Sequence, residues 1–406
     1  MAHRIPLLRQ GHRLELLQGS REMFPALIDA IDNARTEVRL ETYIFDFTGS
    51  GAEVAYAMER AARRGVSVMV MVDGYGSDPI PAAWQERFDQ AGVQWAIYSP
   101  QGRFGMLWPG NWSRLHRKLC LIDCELAFCG GINILDDFHD PSYGRLDHPR
   151  FDFAMSVKGP LVASVQAVME RSWRRLLAKQ QTGRGRIASL VDSLRAARRD
   201  PAVGPSPDRT RTTPLAKATL VLRDNVRNRT RIEFAYRRAI SRARSEVIIA
   251  NAYFVPGRKM RSSLVRAARR GVKVKLLLQG RYEYFMQYYA ARPIYGALLA
   301  AGVEIYEYVP GFLHAKVAVI DGVWATVGSS NLDPLSLLLA REANVMVEDR
   351  PFAGRLRSTL LRAMADEGRA MDAEAFARRP FGQLVSEWVA FGLMRIALTL
   401  QGKKYL

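Results

Sequence analysis

Cysteine is too scarce in this sequence, and too poorly spaced, to build a covalent framework. Its three thiols, Cys120, Cys124 and Cys129, crowd into one apolar stretch without a CxxC pair. That spacing argues against a disulfide scaffold and a zinc site, and fits core thiols in a reducing compartment. Long hydrophobic runs are missing too. No segment reaches the ~18 uncharged apolar residues of a membrane span, and the opening stretch MAHRIPLLRQGHRLELL lacks the apolar run of a signal peptide. A soluble, cytosolic body is expected, so the Asn-x-Ser/Thr sites at Asn111 and Asn228 never meet glycosylation machinery. Negative charge is in deficit: 40 acidic residues stand against 59 lysines and arginines, leaving a formal net charge of +19. The partners implied are polyanions, anionic phospholipid or nucleic acid, although a solvated basic face alone would have the same composition.

What the sequence does contain is itself, twice. AARRGVSVMVMVDG from Ala61 returns as AARRGVKVKLLLQG from Ala267, AGVQWAIYSP from Ala91 as AGVEIYEYVP from Ala301, and LHRKLCLID from Leu115 as LHAKVAVID from Leu313. Order is kept; the offset is 206 at the first match and 210 at the second, and falls to 198 at the third because the first copy carries one extra loop, Arg103 to Arg114, whose aromatics and arginines suit a lipid headgroup as well as a loop without a role. EVRLETYIF and EVIIANAYF read as buried strands, and each AARRGV helix leads through Gly65 or Gly271 into another strand. An α/β sandwich built twice is expected. Between the copies, from about Lys179 to Lys217, the chain turns basic and rich in Gly, Pro, Ser and Thr. This reads as a mobile linker holding one short helix near Leu190 to Arg199.

Each copy carries HxK followed after four residues by aspartate: His116, Lys118 and Asp123, then His314, Lys316 and Asp321. Both continue to an asparagine, Asn133 in GGIN and Asn331 in GSSN. One such motif arises by chance in roughly two chains in a hundred; two at matching places in a duplication do not. On a strand, residues i and i+2 share a side, so histidine and lysine project together, while the aspartate falls on the other face or in the turn. Histidine and lysine therefore look functional, and Asp123 and Asp321 look structural.

A phosphodiester is an anion with a poor alkoxide leaving group. Its cleavage needs a nucleophile, an acid for the leaving oxygen and fixed positive charge on the non-bridging oxygens. Two HxK pairs supply all three, and the asparagines with the GGIN and GSSN backbone N–H groups can add neutral donors. This set requires no metal or cofactor, and no metal spacing such as HExxH occurs. His139 and His148, with the aspartates of DDFHDPSYGRLDH, read as a loop near the site and not as metal ligands. A basic imidazole needs a carboxylate on its second nitrogen. Asp152 in the first copy and Glu342 in the second are the candidates, each expected to orient its own half's histidine. Tyr75 of DGYGS and Tyr253 of YFVPG are candidate headgroup contacts.

The paired motifs resemble those of the phospholipase D superfamily. LETYIF, DGYGS, LHRKLCLID, GGIN, EVIIANAYF, ATVGSSNLDPLSL and EANV resemble the short cardiolipin synthases that lack N-terminal membrane spans, over roughly residues 12 to 370. The resemblance implies two pseudo-symmetric phospholipase D-like α/β/α sandwich halves, about residues 1–178 and 218–370, sharing one active site at their interface, with a tail over 371–406. It also implies phosphatidyl transfer between two phosphatidylglycerol molecules through a phosphohistidine, with His116 as nucleophile and His314 as acid and base. The sequence, nearly symmetric, does not fix that order. Cys124 stands where the motif often has glycine, which puts a turn in doubt and not the chemistry. The partners implied are phosphatidylglycerol and the cytoplasmic surface of the inner membrane, with no nucleic acid. The tail from Phe381, apolar with Trp388, Phe391, Leu393, Met394 and Leu398 and ending in Lys403 and Lys404, could lie in the bilayer interface or pack on the protein. A lipid hydrolase, a nucleic-acid phosphodiesterase and a silent membrane-binding protein are the rival readings.

Overall fold

The computed structural model describes residues 5–100, 113–182, 215–224, 228–281, 285–333 and 340–380, with four isolated positions beyond. The first half runs β1 (Arg9–Gln18), α1 (Gly19–Asp32), β2 (Glu37–Thr42), α2 (Gly49–Arg63), β3 (Ser67–Asp73), α3 (Ala82–Ala91), β4 (Gln94–Tyr98), β5 (Arg114–Leu115), β6 (Lys118–Ile122), β7 (Leu126–Gly130), β8 (His139–Asp140), β9 (Gly144–Arg145), β10 (Phe153–Lys158) and α4 (Leu161–Thr182). The second half repeats it as β11 (Ala216–Arg223), α5 (Arg231–Arg242), β12 (Glu246–Asn251), α6 (Arg258–Arg269), β13 (Lys273–Gln279), α7 (Phe285–Leu299), β14 (Glu304–Tyr308), β15 (Lys316–Ile320), β16 (Trp324–Gly328), β17 (Ala340–Glu348) and α8 (Arg350–Asp366), followed by β18 (Gly368–Ala370) and α9 (Ala373–Ala377).

The expected α/β architecture is present. Among the described residues one sheet holds both halves, in the order β18-β14-β13-β12-β15-β16-β17-β11-β1-β10-β7-β6-β2-β3-β4, with β5 attached to β17. The halves join where β1 and β11 pair antiparallel at the centre. β2-β3-β4 and β12-β13-β14 are parallel, joined by helical crossovers, and the middle strands are antiparallel.

Strand alternation divides the core into layers. Cys120 and Ile122 face outward onto α1, α2 and α3 with Leu27, Val54 and Met58, while Leu119 and Leu121 face the other half. The matching strand β15 sends Ala318 and Ile320 outward and Val317 and Val319 inward. The inward faces and the apolar stripes of α4 and α8 form one shared core, so neither sheet face reaches water, as the unbroken LCLI and VAVI runs require. The AARRGV segments end their helices as expected: Gly65 and Gly271 take φ of 90° and 87°, and the N–H groups of Val66 and Val272 bond back to Ala61 and Ala267.

The structured parts reach further into the expected linker than its composition suggested. α4 continues to Thr182 and β11 begins at Ala216, because alternating Ala216, Ala218 and Leu220 bury against the centre of the sheet. The expected helix at 190–199, the loop residues 103–112, and Trp388, Phe391, Met394, Leu398, Lys403 and Lys404 of the tail lie outside the described residues. Val389 and Leu393, which are described, are exposed.

Candidate active site

The two HxK segments meet because each histidine is carried on a short bridge to the other half. β5 runs parallel to the start of β17, pairing Arg114 with Ala340 and Leu115 with Arg341, and the backbone N–H of His116 donates to the carbonyl of Arg341 at 3.1 Å. On the opposite side Leu313 bridges Phe151 in parallel, and the His314 N–H donates to Phe151 O at 2.9 Å. The acid that follows each bridge therefore faces the partner half's histidine. His116 Nδ1 bonds Glu342 Oε2 at 3.1 Å, and His314 Nδ1 bonds Asp152 Oδ2 at 2.6 Å. This corrects the expectation that each acid orients its own histidine: the pairs are crossed, since the bridges exchange strands between halves.

Lys118 Nζ donates to His116 O at 2.9 Å and lies 5.2 Å from the Tyr43 ring centre; Lys316 Nζ donates to His314 O. Both lysines are buried. Burial and the charge of Lys316 bring the Lys118 ammonium down to about 7, so the free site holds less positive charge than its composition implies. Burial lowers His116 against the pull of Glu342, and burial with both lysines takes His314 well below its ordinary value.

The two carboxylates differ. Glu342 is fully buried, but His116 and then Arg223 outweigh that burial and hold it below its usual value. Arg223 stands directly opposite it in the β11–β17 register. Asp152, pushed up by burial to about 6, has at the corresponding position Gly19, whose N–H donates to Asp152 O at 2.9 Å. A side chain at Gly19 would strike Asp137 Oδ2 at 2.8 Å, and Asp137 is itself raised to about 6 by burial. Ser329 Oγ donates to Glu342 Oε2. Its counterpart is Gly131, where a Cβ would lie 2.4 Å from Asp152 Oδ1. Ser329 and Arg223 were not singled out from the sequence; the one signal was the mismatch of GSSN with GGIN.

Asn133 and Asn331 are buried beside the site, Asn133 with its Oδ1 accepting from the Ile44 N–H at 3.2 Å. Tyr75 does not join the histidines: it is exposed, with the Arg114 guanidinium 4.5 Å over its ring. The ring packed on His116 is Tyr43, with centroids 4.8 Å apart, while Tyr253 is partly buried. Asp123 and Asp321 sit at the far ends of β6 and β15. Asp123 accepts from the N–H groups of Arg35, Thr36 and Glu37, and Asp321 from those of Arg244, Ser245 and Glu246. In the acidic loop, Asp136 accepts from Ser50 and Asp140 pairs with Arg150.

A duplicated α/β sheet that brings one HxK pair from each half to a common centre defines a phospholipase D-like protein. Within that class, residues 27–139 and 236–364 match the family "Cardiolipin synthase, PLD-like domain", and the chain belongs to this family. It is 36% identical over 397 residues to cardiolipin synthase B of Escherichia coli K12, covering 95% of this chain and 89% of that one. It is 28% identical over 403 residues to a cardiolipin synthase of Geobacillus kaustophilus, covering 96% and 75%. Phosphatidylserine synthase of Haemophilus influenzae shares the fold over 96% of both chains, with a TM-score of 0.67 at 13% identity.

Proposed function

We propose that the chain is a cardiolipin synthase that transfers a phosphatidyl group from one phosphatidylglycerol to a hydroxyl of another, releasing glycerol. The observation that carries this reading is the crossed pairing of His116 with Glu342 and His314 with Asp152 around two buried lysines. With its Nδ1–H held by Glu342, His116 presents Nε2 to phosphorus. The substrate phosphate, set between the two lysines, offsets the charges that hold His314 neutral, so His314 enters the step protonated. The bond from phosphorus to the glycerol oxygen breaks, and His314 gives that oxygen its proton. The acceptor hydroxyl then returns a proton to His314 as its oxygen attacks phosphorus and the N–P bond breaks. Lys118, Lys316, Asn133 and Asn331 answer the charge on the non-bridging oxygens. Asp123 and Asp321 act only on the turns.

The two halves, roughly residues 1–178 and 218–370, act as one catalytic unit on the cytoplasmic face of the inner membrane. No helix among the described residues is long and apolar enough to cross a bilayer. The excess of basic residues favours an anionic leaflet at about 1 kcal/mol for each lysine or arginine near it, and the tail adds apolar contact. The test is to incubate the protein with phosphatidylglycerol in mixed micelles and identify products by mass spectrometry, beside His116→Ala and His314→Ala. Cardiolipin plus glycerol, lost in both variants, is expected. Phosphatidic acid alone would make the chain a hydrolase, and no lipid product would overturn the reading.

A further inference from the structure

The acidic loop between Asn133 and Asp152 turns its carboxylates in and its rings out. The first copy is longer here than the second: Asp152 follows Asn133 by 19 residues, whereas Glu342 follows Asn331 by 11. The added length forms a hairpin in which β8 and β9 pair His139 with Arg145 and Asp140 with Gly144. Three of its acids are engaged in holding it. Asp136 accepts from Ser50 Oγ and from the Phe138 N–H, both at 2.8 Å, and Asp137 from the Ser20 N–H at 2.5 Å. Asp140 accepts from the N–H groups of Ser142 and Tyr143 and from the Arg150 guanidinium. Phe138, by contrast, is 51% exposed and Tyr143 50%.

Folding ordinarily does the reverse, burying rings and leaving carboxylates in water, and exposed apolar groups clustered on one element mark a contact surface. The hairpin is fixed to the segment that carries His314. At its base the Arg150 N–H donates to Asp137 O at 3.1 Å, and the next residue, Phe151, donates to Phe312 O at 2.9 Å. At its tip the Tyr143 ring lies 5.4 Å from that of Phe312, two residues before His314. A Cβ at Gly311 would meet Pro149 O at 3.0 Å, so the two segments touch along their backbones. Val309, in the same stretch, is exposed as well, and its carbonyl accepts from Arg281 Nε at 3.2 Å. The exposed side chains therefore border the segment that leads into the catalytic centre.

We propose that this hairpin is the element by which the protein enters the lipid bilayer, with Phe138 and Tyr143 seated among the headgroups and upper acyl chains beside the active site. The inference rests on the reading of the substrate as a membrane phospholipid, and it names the surface that meets the membrane. Two half-exposed rings offer roughly 200 Å² of apolar area, well short of the ~800 Å² that each partner of a stable dimer buries. A bilayer needs no complementary surface, and both ring types suit its interface, tyrosine with its hydroxyl kept in water. Beside the imidazoles of His139 and His148, the exposed charges of the hairpin are Arg145 and Asp147, which balance. Its hold is therefore apolar, distinct from the attraction of the basic body to an anionic leaflet.

The experiment mixes the full chain with vesicles of equal parts phosphatidylglycerol and phosphatidylethanolamine and measures the bound fraction by flotation. Phe138→Ser with Tyr143→Ser is expected to weaken binding about tenfold, and Phe138→Leu with Tyr143→Phe, which stay apolar, to bind as wild type does. High salt screens the basic body, but the tenfold ratio between wild type and the serine variant is expected to persist in it. Equal binding of those two proteins overturns the proposal, and so does a ratio that salt abolishes. Flotation needs no turnover, so it stands apart from a failure to make cardiolipin. Transfer then separates the surface from the chemistry. On dihexanoyl phosphatidylglycerol below its micelle concentration the serine variant is expected to match wild type, and on vesicles to lose about tenfold. Equal losses on both substrates contradict the proposal. A change in sedimentation without lipid, with flotation unaltered, would make the hairpin a contact between copies of the chain instead.

Discussion

Glu342 bonds the Nδ1 of His116 across the boundary between the halves, 3.1 Å away in space and 226 residues away in sequence. Neither half therefore holds a complete acid–histidine pair. Glu342→Gln, which keeps the shape and loses the charge, is expected to lower kcat by about 10⁴-fold, the cost of an imidazole held in the wrong tautomer. Asp152→Asn is expected to cost as much with phosphatidylglycerol, but to recover with a donor bearing p-nitrophenol, which leaves without an acid. Recovery in Glu342→Gln and not in Asp152→Asn would reverse the roles of the histidines. Burst kinetics with the activated donor read the difference directly.

The asymmetry of the two carboxylates yields a second expectation. Arg223 is buried opposite Glu342, and it is one of the charges that keep that acid ionised. Arg223→Met removes this support, so the pKa of Glu342 rises and the acidic limb of the kcat/KM profile moves to higher pH. A shift of about one unit corresponds to about 1.4 kcal/mol. A uniform loss of rate without movement of the limb would mean that Arg223 only fills space.

Much of this site was legible in the sequence because it depends on local periodicity. His116 and Lys118 share a strand side by the alternation of β structure, and the AARRGV helices end where glycine accepts a positive φ. The crossing was not legible. It follows from two bridges of one or two residues, Leu115 to Arg341 and Leu313 to Phe151, which have no compositional mark. Tyr43 escaped notice for a similar reason: it lies just past the end of β2, where a strand pattern no longer says which way a ring points. Tyr75, in a glycine turn, attracted attention for residues that serve the turn.

The lysines set the alkaline behaviour. A buried lysine with a folded pKa near 7 loses its charge as pH rises through that value, and the charged form is the one that holds phosphate. The KM for phosphatidylglycerol is therefore expected to rise from about pH 7 upward, approaching tenfold per unit, while kcat changes less. Lys118→Arg, which stays charged throughout, is expected to flatten the rise even if its kcat is lower. A KM independent of pH up to 9 in wild type would contradict the depressed ammonium.

Asp123 and Cys124 test the separation of turn from chemistry. Both take positive φ, 51° and 55°, in the turn after β6, and three backbone N–H groups donate to the Asp123 carboxylate. Asp123→Ala orphans these donors and is expected to destabilise the fold by about 2 kcal/mol without changing kcat of the folded protein. Burial opposes ionisation of Asp123, but the hydrogen bonds outweigh it and lower its pKa. Its stabilisation is thus present at neutral pH and fades as pH falls through the folded value, so wild type and variant converge in acid. Cys124→Gly should act in the opposite direction at the same turn. A residue with a Cβ is strained in the left-handed region by about 1 kcal/mol, whereas the second copy already has glycine there, Gly322 at φ 61°. Urea unfolding of the two variants, with kcat measured on each, checks both signs; a change in kcat for either would draw the aspartate turn into the chemistry.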